Sequence, residues 1–179
     1  MRKIIESTLV SLDGACRDPH TWATEYFDAD AEAYALELLS AADAMLMGRQ
    51  TYEFFAAAFP HRTGEYGKRV NSIRKYVFSN TLTKAEWSNS SIVKGDPVKE
   101  AARLKQQGGK NLVIYGHGLL SERLLERNLL DQLKIWIHPL LMGRAELRLR
   151  EGRETRLKLV ATRILLTGVI VATYESAQP

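Results

Sequence analysis

The chain has 179 residues, 45% of them apolar and 26% charged, with 25 bases against 21 acids. That length suits one folded domain whose core needs no covalent staples. A single cysteine, Cys16, excludes an internal disulfide and a multi-cysteine metal cage, and no apolar run is long enough to cross a bilayer. Glu6 comes too early for a signal-peptide apolar region, so a soluble cytoplasmic protein is expected.

Lys3 to Leu12 is rich in Ile, Val, Thr and Leu and predicts a strand that runs into the Asp13-Gly14 turn signal. Residues 15–27 are irregular and carry Pro19, His20, Trp22, Tyr26 and Phe27, a loop aromatic enough to fold over its own core or over a flat ligand. Asp28 or Asp30 caps a helix whose apolar positions include Tyr34, Leu38 and Ala41, and Asp43 marks its end. A short strand, Ala44 to Met47, passes through Gly48 into a helix from Thr51 to Phe59. Pro60, His61, Gly64 and Gly67 predict a loop.

Arg74 to Phe78 predicts a strand ending at Ser79-Asn80, and Ser91 to Val93 a shorter one. Asp96 followed by Pro97 is a well-founded helix start, and that helix stops at Gly108-Gly109. Asn111 to Tyr115 is a continuous apolar strand, followed by Gly116-His117-Gly118 and a helix from Leu119 to Arg127. Leu133 to His138 is a further strand broken by Pro139. The strands Leu157 to Leu166 and Gly168 to Tyr174 form a hairpin at the end. Strand and helix alternate as far as about residue 138, which predicts an α/β sandwich on a mostly parallel sheet with antiparallel C-terminal strands at its edge.

The charge is unevenly placed. Residues 144–163 hold seven bases and three acids, leaving 18 of each elsewhere. No aromatic is interleaved among these arginines for base stacking, so a solvated loop and a charged strand edge are expected rather than nucleic-acid binding. Attraction of a phosphorylated substrate is a further use of the same charge.

Three strands end at small or polar residues: Met47 at Gly48-Arg49-Gln50-Thr51, Phe78 at Ser79-Asn80-Thr81, and Tyr115 at Gly116-His117-Gly118. In a parallel sheet such ends lie along one edge, where ligands bind. A glycine before a helix lets backbone N–H groups approach a phosphate, and Arg49 and Thr51 add a cation and a hydroxyl. Each stretch alone is an ordinary strand–helix turn. Together they describe a nucleotide cradle.

These stretches also carry a resemblance. Met47-Gly48-Arg49-Gln50-Thr51-Tyr52-Glu53 resembles the second-strand motif of the dihydrofolate reductase fold. Ser11-Leu12-Asp13-Gly14, and Leu130-Asp131-Gln132-Leu133 through His138-Pro139-Leu140-Leu141-Met142-Gly143, resemble motifs of the reductase half of the riboflavin-pathway deaminase–reductases. With Val77 to Leu82 and Gly116-x-Gly118-x-Leu120 the resemblance spans nearly the whole chain, and it is nearest to the stand-alone relatives of that reductase. It implies a dihydrofolate reductase-like three-layer αβα sandwich, NADPH at the strand ends, a small-molecule substrate, and a homodimer formed through the C-terminal strands.

The resemblance places Gly48, Arg49, Gln50, Thr51, Ser79, Asn80, Thr81, Gly116, His117, Gly118, Leu119 and Leu120 around the cofactor. It puts Asp13 near the reacting carbon and Trp22 in a covering loop. Glu32 could bring a carboxylate to the cleft from the first helix, as in dihydrofolate reductases, or serve as a cap and solvated-face residue. Asp13 could equally be a turn former, and Trp22 a core filler. Two departures stand out: Arg144 to Arg150 replaces a Gly-rich continuation, and His117 replaces a small residue, which would narrow the cradle. The deaminase half is absent, since neither H-x-E nor P-C-x-x-C occurs. The expected function is NADPH-dependent reduction of a small heterocycle or a ribosylamino-pyrimidine. The alternative is a non-catalytic nucleotide- or flavin-binding module on the same fold.

Overall fold

In the computed structural model, which describes residues 1–149 and 154–176, the first apolar run becomes β1 (Ile4–Ser11) and is buried along nearly its whole length. A strand covered on both faces belongs in the middle of a sheet. The sheet has eight strands in the order β4 (Ser90–Val93), β3 (Arg74–Phe78), β2 (Ala42–Gly48), β5 (Asn111–Tyr115), β1, β6 (Gln132–His138), β8 (Ile170–Ser176) and β7 (Leu157–Ile164). Strands β1 to β6 pair in parallel, and β8 lies antiparallel between β6 and β7. This is the mixed, mostly parallel sheet with antiparallel C-terminal strands that the sequence predicts.

Helices cover both faces. The helices α1 (Ala29–Ser40), α2 (Arg49–Ala58) and α3 (Glu65–Ser72) bring Leu38, Leu39, Tyr52, Tyr66 and Val70 to one core with Met45, Val77 and Val113. On the other face α4 (Pro97–Gln106) and α5 (Leu119–Glu126) bring Ala101, Leu104, Leu124 and Leu125 to Ile4, Leu46, Leu112 and Ile114. Odd and even positions of one strand therefore feed different cores, as a pleated strand requires. Among the described residues no helix is long and apolar enough to cross a membrane.

One expected loop is a helix. Residues 64–67 read as loop because two glycines lie three apart, yet Glu65–Ser72 is helical, with Tyr66 and Val70 buried one turn apart. Gly67 is required there by close approach. A Cβ on it would lie 2.7 Å from the Arg62 Cβ and 2.8 Å from the Arg62 carbonyl oxygen. Tertiary packing outweighs the low helix propensity of glycine at this point.

The edge strand β7 is exposed along nearly all of its length, with Leu159, Val160 and Ile164 open to solvent. The arginine-rich segment splits between pairs and packing. Arg144 faces Glu146, Arg156 faces Glu154, and Arg163 bridges to Asp30 and Glu37 on α1. Leu147 and Leu149 between them pack against the α4–α5 core. Arg150, Glu151 and Arg153 lie outside the described residues.

Candidate functional site

The parallel strands deliver their C-terminal ends to one edge of the sheet, and β5 stops short there. Tyr115 is opposite Ser7, whereas β1 continues to Ser11 beside His138. The step left between β2 and β1 is filled by Gly116, which turns at φ +75° and donates its N–H to the Ser7 carbonyl at 2.9 Å. A β-carbon added at Gly48, Gly116 or Gly118 would meet nothing within 4 Å. The strand ends border open space.

The helices beginning at this step differ from α1. The Asp28 carboxylate accepts the Ala31 N–H and caps α1. The N-caps of α2 and α5 are Gly48 and Gly118, and neither has a capping side chain. The first N–H groups of a helix have no partner within it, and the helix dipole adds partial positive charge there. Two such ends beside open space have the chemistry that suits an anion.

Side chains from the first turn of α2 and from the segment after β3 complete this wall. Arg49 donates from Nε to Glu53 Oε1 at 2.6 Å and from Nη1 to Thr81 Oγ1 at 2.9 Å, while remaining exposed. Ser79 Oγ accepts the N–H groups of Thr81 and Leu82 at 3.3 and 3.0 Å, and Asn80 Oδ1 accepts the Gly95 N–H at 2.9 Å. Gln50 is exposed and Thr51 half-buried in the first turn of α2. Leu119 is exposed at the start of α5, whereas Leu120 turns toward the core. Arg49, Ser79 and Thr81 are brought together, and Asn80 ties this turn to Gly95 in the segment after β4.

His117 does not narrow the cradle. Its side chain is only 4% exposed and turns beneath the loop, with Nδ1 2.9 Å from Glu6 Oε1. Glu6 is fully buried on β1 and also accepts the Thr8 hydroxyl at 2.6 Å. The sequence offered no sign of this pair, because its two members lie 111 positions apart.

Asp13 is held more tightly than a turn former needs. Its Oδ1 accepts the Ser11 hydroxyl at 2.5 Å and the Met142 N–H at 3.1 Å, and Oδ2 accepts the Gly143 N–H at 2.6 Å. Hydrogen bonds from Ser11 first, then from the two backbone amides, stabilise the carboxylate and bring its pKa down to about 2. It joins the end of β1 to the segment that follows β6. A second tie was missed by the sequence reading. Glu146 Oε2 accepts the N–H groups of Cys16 and Arg17, and the Gly14 carbonyl accepts those of Glu146 and Leu147.

The aromatic loop folds over its own core. Trp22 is 6% exposed, donates from Nε1 to the Arg17 carbonyl at 3.0 Å, and meets the His138 ring edge-on at 5.2 Å. Tyr26 meets the same ring at 5.4 Å. His138 shares its Nδ1 proton between the carbonyls of Val10 and Trp136, and burial lowers its pKa. Glu32 faces α3: a Cβ added at Gly64, the N-cap of that helix, would lie 3.1 Å from its Oε1. A carboxylate there complements the helix dipole. No described contact brings Glu32 to Asp13.

The family model described as RibD C-terminal domain matches residues 2–171. The uncharacterized protein YyaP of Bacillus subtilis (strain 168) is 28% identical over 181 residues, covering 97% of this chain and 95% of its own. A candidate riboflavin biosynthesis protein of Shewanella sp. PV-4 superposes with a TM-score of 0.75 at 23% identity, over 99% of this chain and 100% of its own. A diaminohydroxyphosphoribosylaminopyrimidine deaminase/5-amino-6-(5-phosphoribosylamino)uracil reductase of Thermotoga maritima superposes with a TM-score of 0.71 at 14% identity. The match covers 98% of this chain and 57% of that larger protein.

Proposed function

The chain belongs to the RibD C-terminal domain family, and from that premise we propose that it is an NADPH-dependent reductase of a small heterocyclic or ribosylamino-pyrimidine substrate. We take it to act as a single-domain homodimer. The observation that carries the reading is the pair of uncapped, glycine-led helix starts at Gly48 and Gly118, both facing open space. The donors suit a dinucleotide phosphate: backbone N–H groups at two helix ends, the Arg49 guanidinium, and the hydroxyls of Ser79 and Thr81.

Bound NADPH supplies the hydride. The chain supplies binding, orientation and exclusion of water. Arg49 and Thr81 hold one phosphate region, and the Gly116–Gly118 backbone lies along another. Exposed Leu12 and Leu141 stand on the two segments that Asp13 ties together and offer an apolar surface for a flat ring. Asp13 remains ionised at neutral pH, so its part is to fix that surface rather than to deliver a proton. Its full engagement also favours the second reading, a nucleotide- or flavin-binding module without turnover.

Fluorescence titration with NADPH, followed by NADPH oxidation assays on ribosylamino-pyrimidines and dihydrofolate, tests both readings. Submillimolar NADPH binding with oxidation of one substrate class is expected. No binding below the millimolar range overturns the reductase reading, and binding without oxidation favours the module. The exposed apolar row on β7 supports the homodimer. Sedimentation should give a dimer mass for the native chain and a monomer mass for Ile164→Glu.

A further inference from the structure

Glu6 is a fully buried carboxylate on a central strand, on the face covered by α4 and α5. A carboxylate removed from water is costly unless hydrogen bonds and a cation compensate it. Oε1 receives the Thr8 hydroxyl and faces His117 Nδ1, but Oε2 has no hydrogen-bond partner among the described residues. The cation available to Glu6 is therefore the His117 imidazolium. Three elements face this ring: Glu6 from β1, Glu122 from α5 at 4.0 Å, and the Arg148 carbonyl from the segment after β6. Burial alone lowers the ring pKa, but these three groups outweigh it and the net shift is upward from 6.5.

His117 is also the one side chain in Gly116-His117-Gly118. Gly118 is the N-cap of α5, and its α-carbon and that of Gly116 border open space. Beyond the Gly116 N–H to Ser7, the ring on Glu6 is the tie that fixes this loop to β1. We infer that Glu6 and His117 form a proton-held latch under the loop, a positioning pair that couples dinucleotide binding to the protonation of His117. The inference rests on the dinucleotide reading above. With the proton present the pair is neutral overall and the loop is anchored, so the α5 N–H groups keep their aim. With the proton lost, an uncompensated negative charge sits directly behind the anion site, where little water screens it. Affinity therefore falls as pH rises, and the bound dinucleotide in turn raises the His117 pKa.

NADPH titrations from pH 6.5 to 9 test this, above the range near 6 where a phosphate monoester takes up its own proton. About tenfold weaker binding at the alkaline end is expected, and reciprocity then requires NADPH to raise the His117 midpoint by about one unit, read from its ring proton by NMR. In Glu6→Gln the midpoint should drop and the pH limb of the Kd should move with it. His117→Ser should lack the limb. A merely structural pair would weaken binding equally at every pH. An unchanged midpoint on saturating the native protein with NADPH overturns the latch whether or not the variants fold, as does an unmoved limb in Glu6→Gln. Binding independent of pH removes the latch alone, whereas no NADPH binding at any pH removes the dinucleotide reading with it.

Discussion

The two edges of the sheet use their polar groups in opposite ways. At the N-terminal edge the chain's charges satisfy the chain itself. Lys105 holds Asp131 at 2.6 Å, and Asp131 also accepts the Ile4 N–H at 2.8 Å. Arg2 pairs with Asp43 and donates to the Lys110 carbonyl at 2.7 Å. Even the open groove of about 430 Å³ at this edge, lined by Arg69 and Asp43, has Arg69 committed to the carbonyls of Leu39 and Ala42. At the C-terminal edge the glycines are open, two helix starts are uncapped and Arg49 is exposed. The N-terminal edge closes its charges on one another, whereas the C-terminal edge, tied at Asp13 and Glu146, leaves two uncapped helix starts beside open space.

The hardest way to break that contrast is at Lys75. Its side chain is fully buried, and Nζ donates to the carbonyls of Asn71, Ile73 and Ser88 over the Trp87 ring at 4.1 Å. Lys75→Ala removes a buried side chain and leaves three carbonyls without their donor, so a loss of about 3 kcal/mol or more is expected in denaturant unfolding. NADPH affinity should not change. Burial also lowers the Lys75 pKa from 10.5 to about 8. Between those values the unfolded chain binds the proton and the folded one does not, so this group makes stability rise with pH. Burial raises Tyr66 from 10.0 to about 12, so its contribution is lost as pH climbs from 10 upward. Stability measured against pH in the native chain and in Lys75→Met should differ by a slope confined to the interval above pH 8.

A glycine from each edge gives the next test. Gly109 sits at φ +137° with an added Cβ driven onto the Asp43 carboxylate, which also accepts the Lys110 N–H. Gly118 is extended at φ −174°, a conformation any residue adopts, and a Cβ there meets open space. Gly109→Ala should cost about 1–2 kcal/mol and leave binding intact. Gly118→Ala should cost about 0.5 kcal/mol or less yet weaken NADPH, because the methyl group enters the cradle. Equal effects on stability from the two would remove the distinction between the edges.

What the sequence made legible follows the same division. The three strand ends, the Asp96-Pro97 helix start and the Asp13-Gly14 turn are local signals, and local backbone chemistry produced them. The groups that Asp13 grips are not local: Met142 and Gly143 lie 129 and 130 positions away. Glu6 read as one polar residue in a strand because the pairing of β1 with β5, not its neighbours, brings His117 to it. Helix α3 was hidden by Gly64 and Gly67, and the second of these is required by contact with Arg62 rather than by a turn. Trp22 could be placed in the aromatic loop but not assigned to core or cleft, since its partner His138 comes from β6.

The smallest expected effect lies at Arg49, and it discriminates best. Its guanidinium reaches Glu53 and Thr81 in an exposed setting, where ion pairs contribute little to stability. Arg49→Ala should therefore leave the unfolding midpoint nearly unchanged. If the exposed charge is kept for a ligand, NADPH affinity should fall about fivefold while NADH affinity holds, the scale of one exposed charge-assisted contact. Equal losses for the two cofactors would place Arg49 at the pyrophosphate shared by both. No loss for either would make Arg49 a surface strut between α2 and Thr81, and the C-terminal edge would then rely on backbone N–H groups alone.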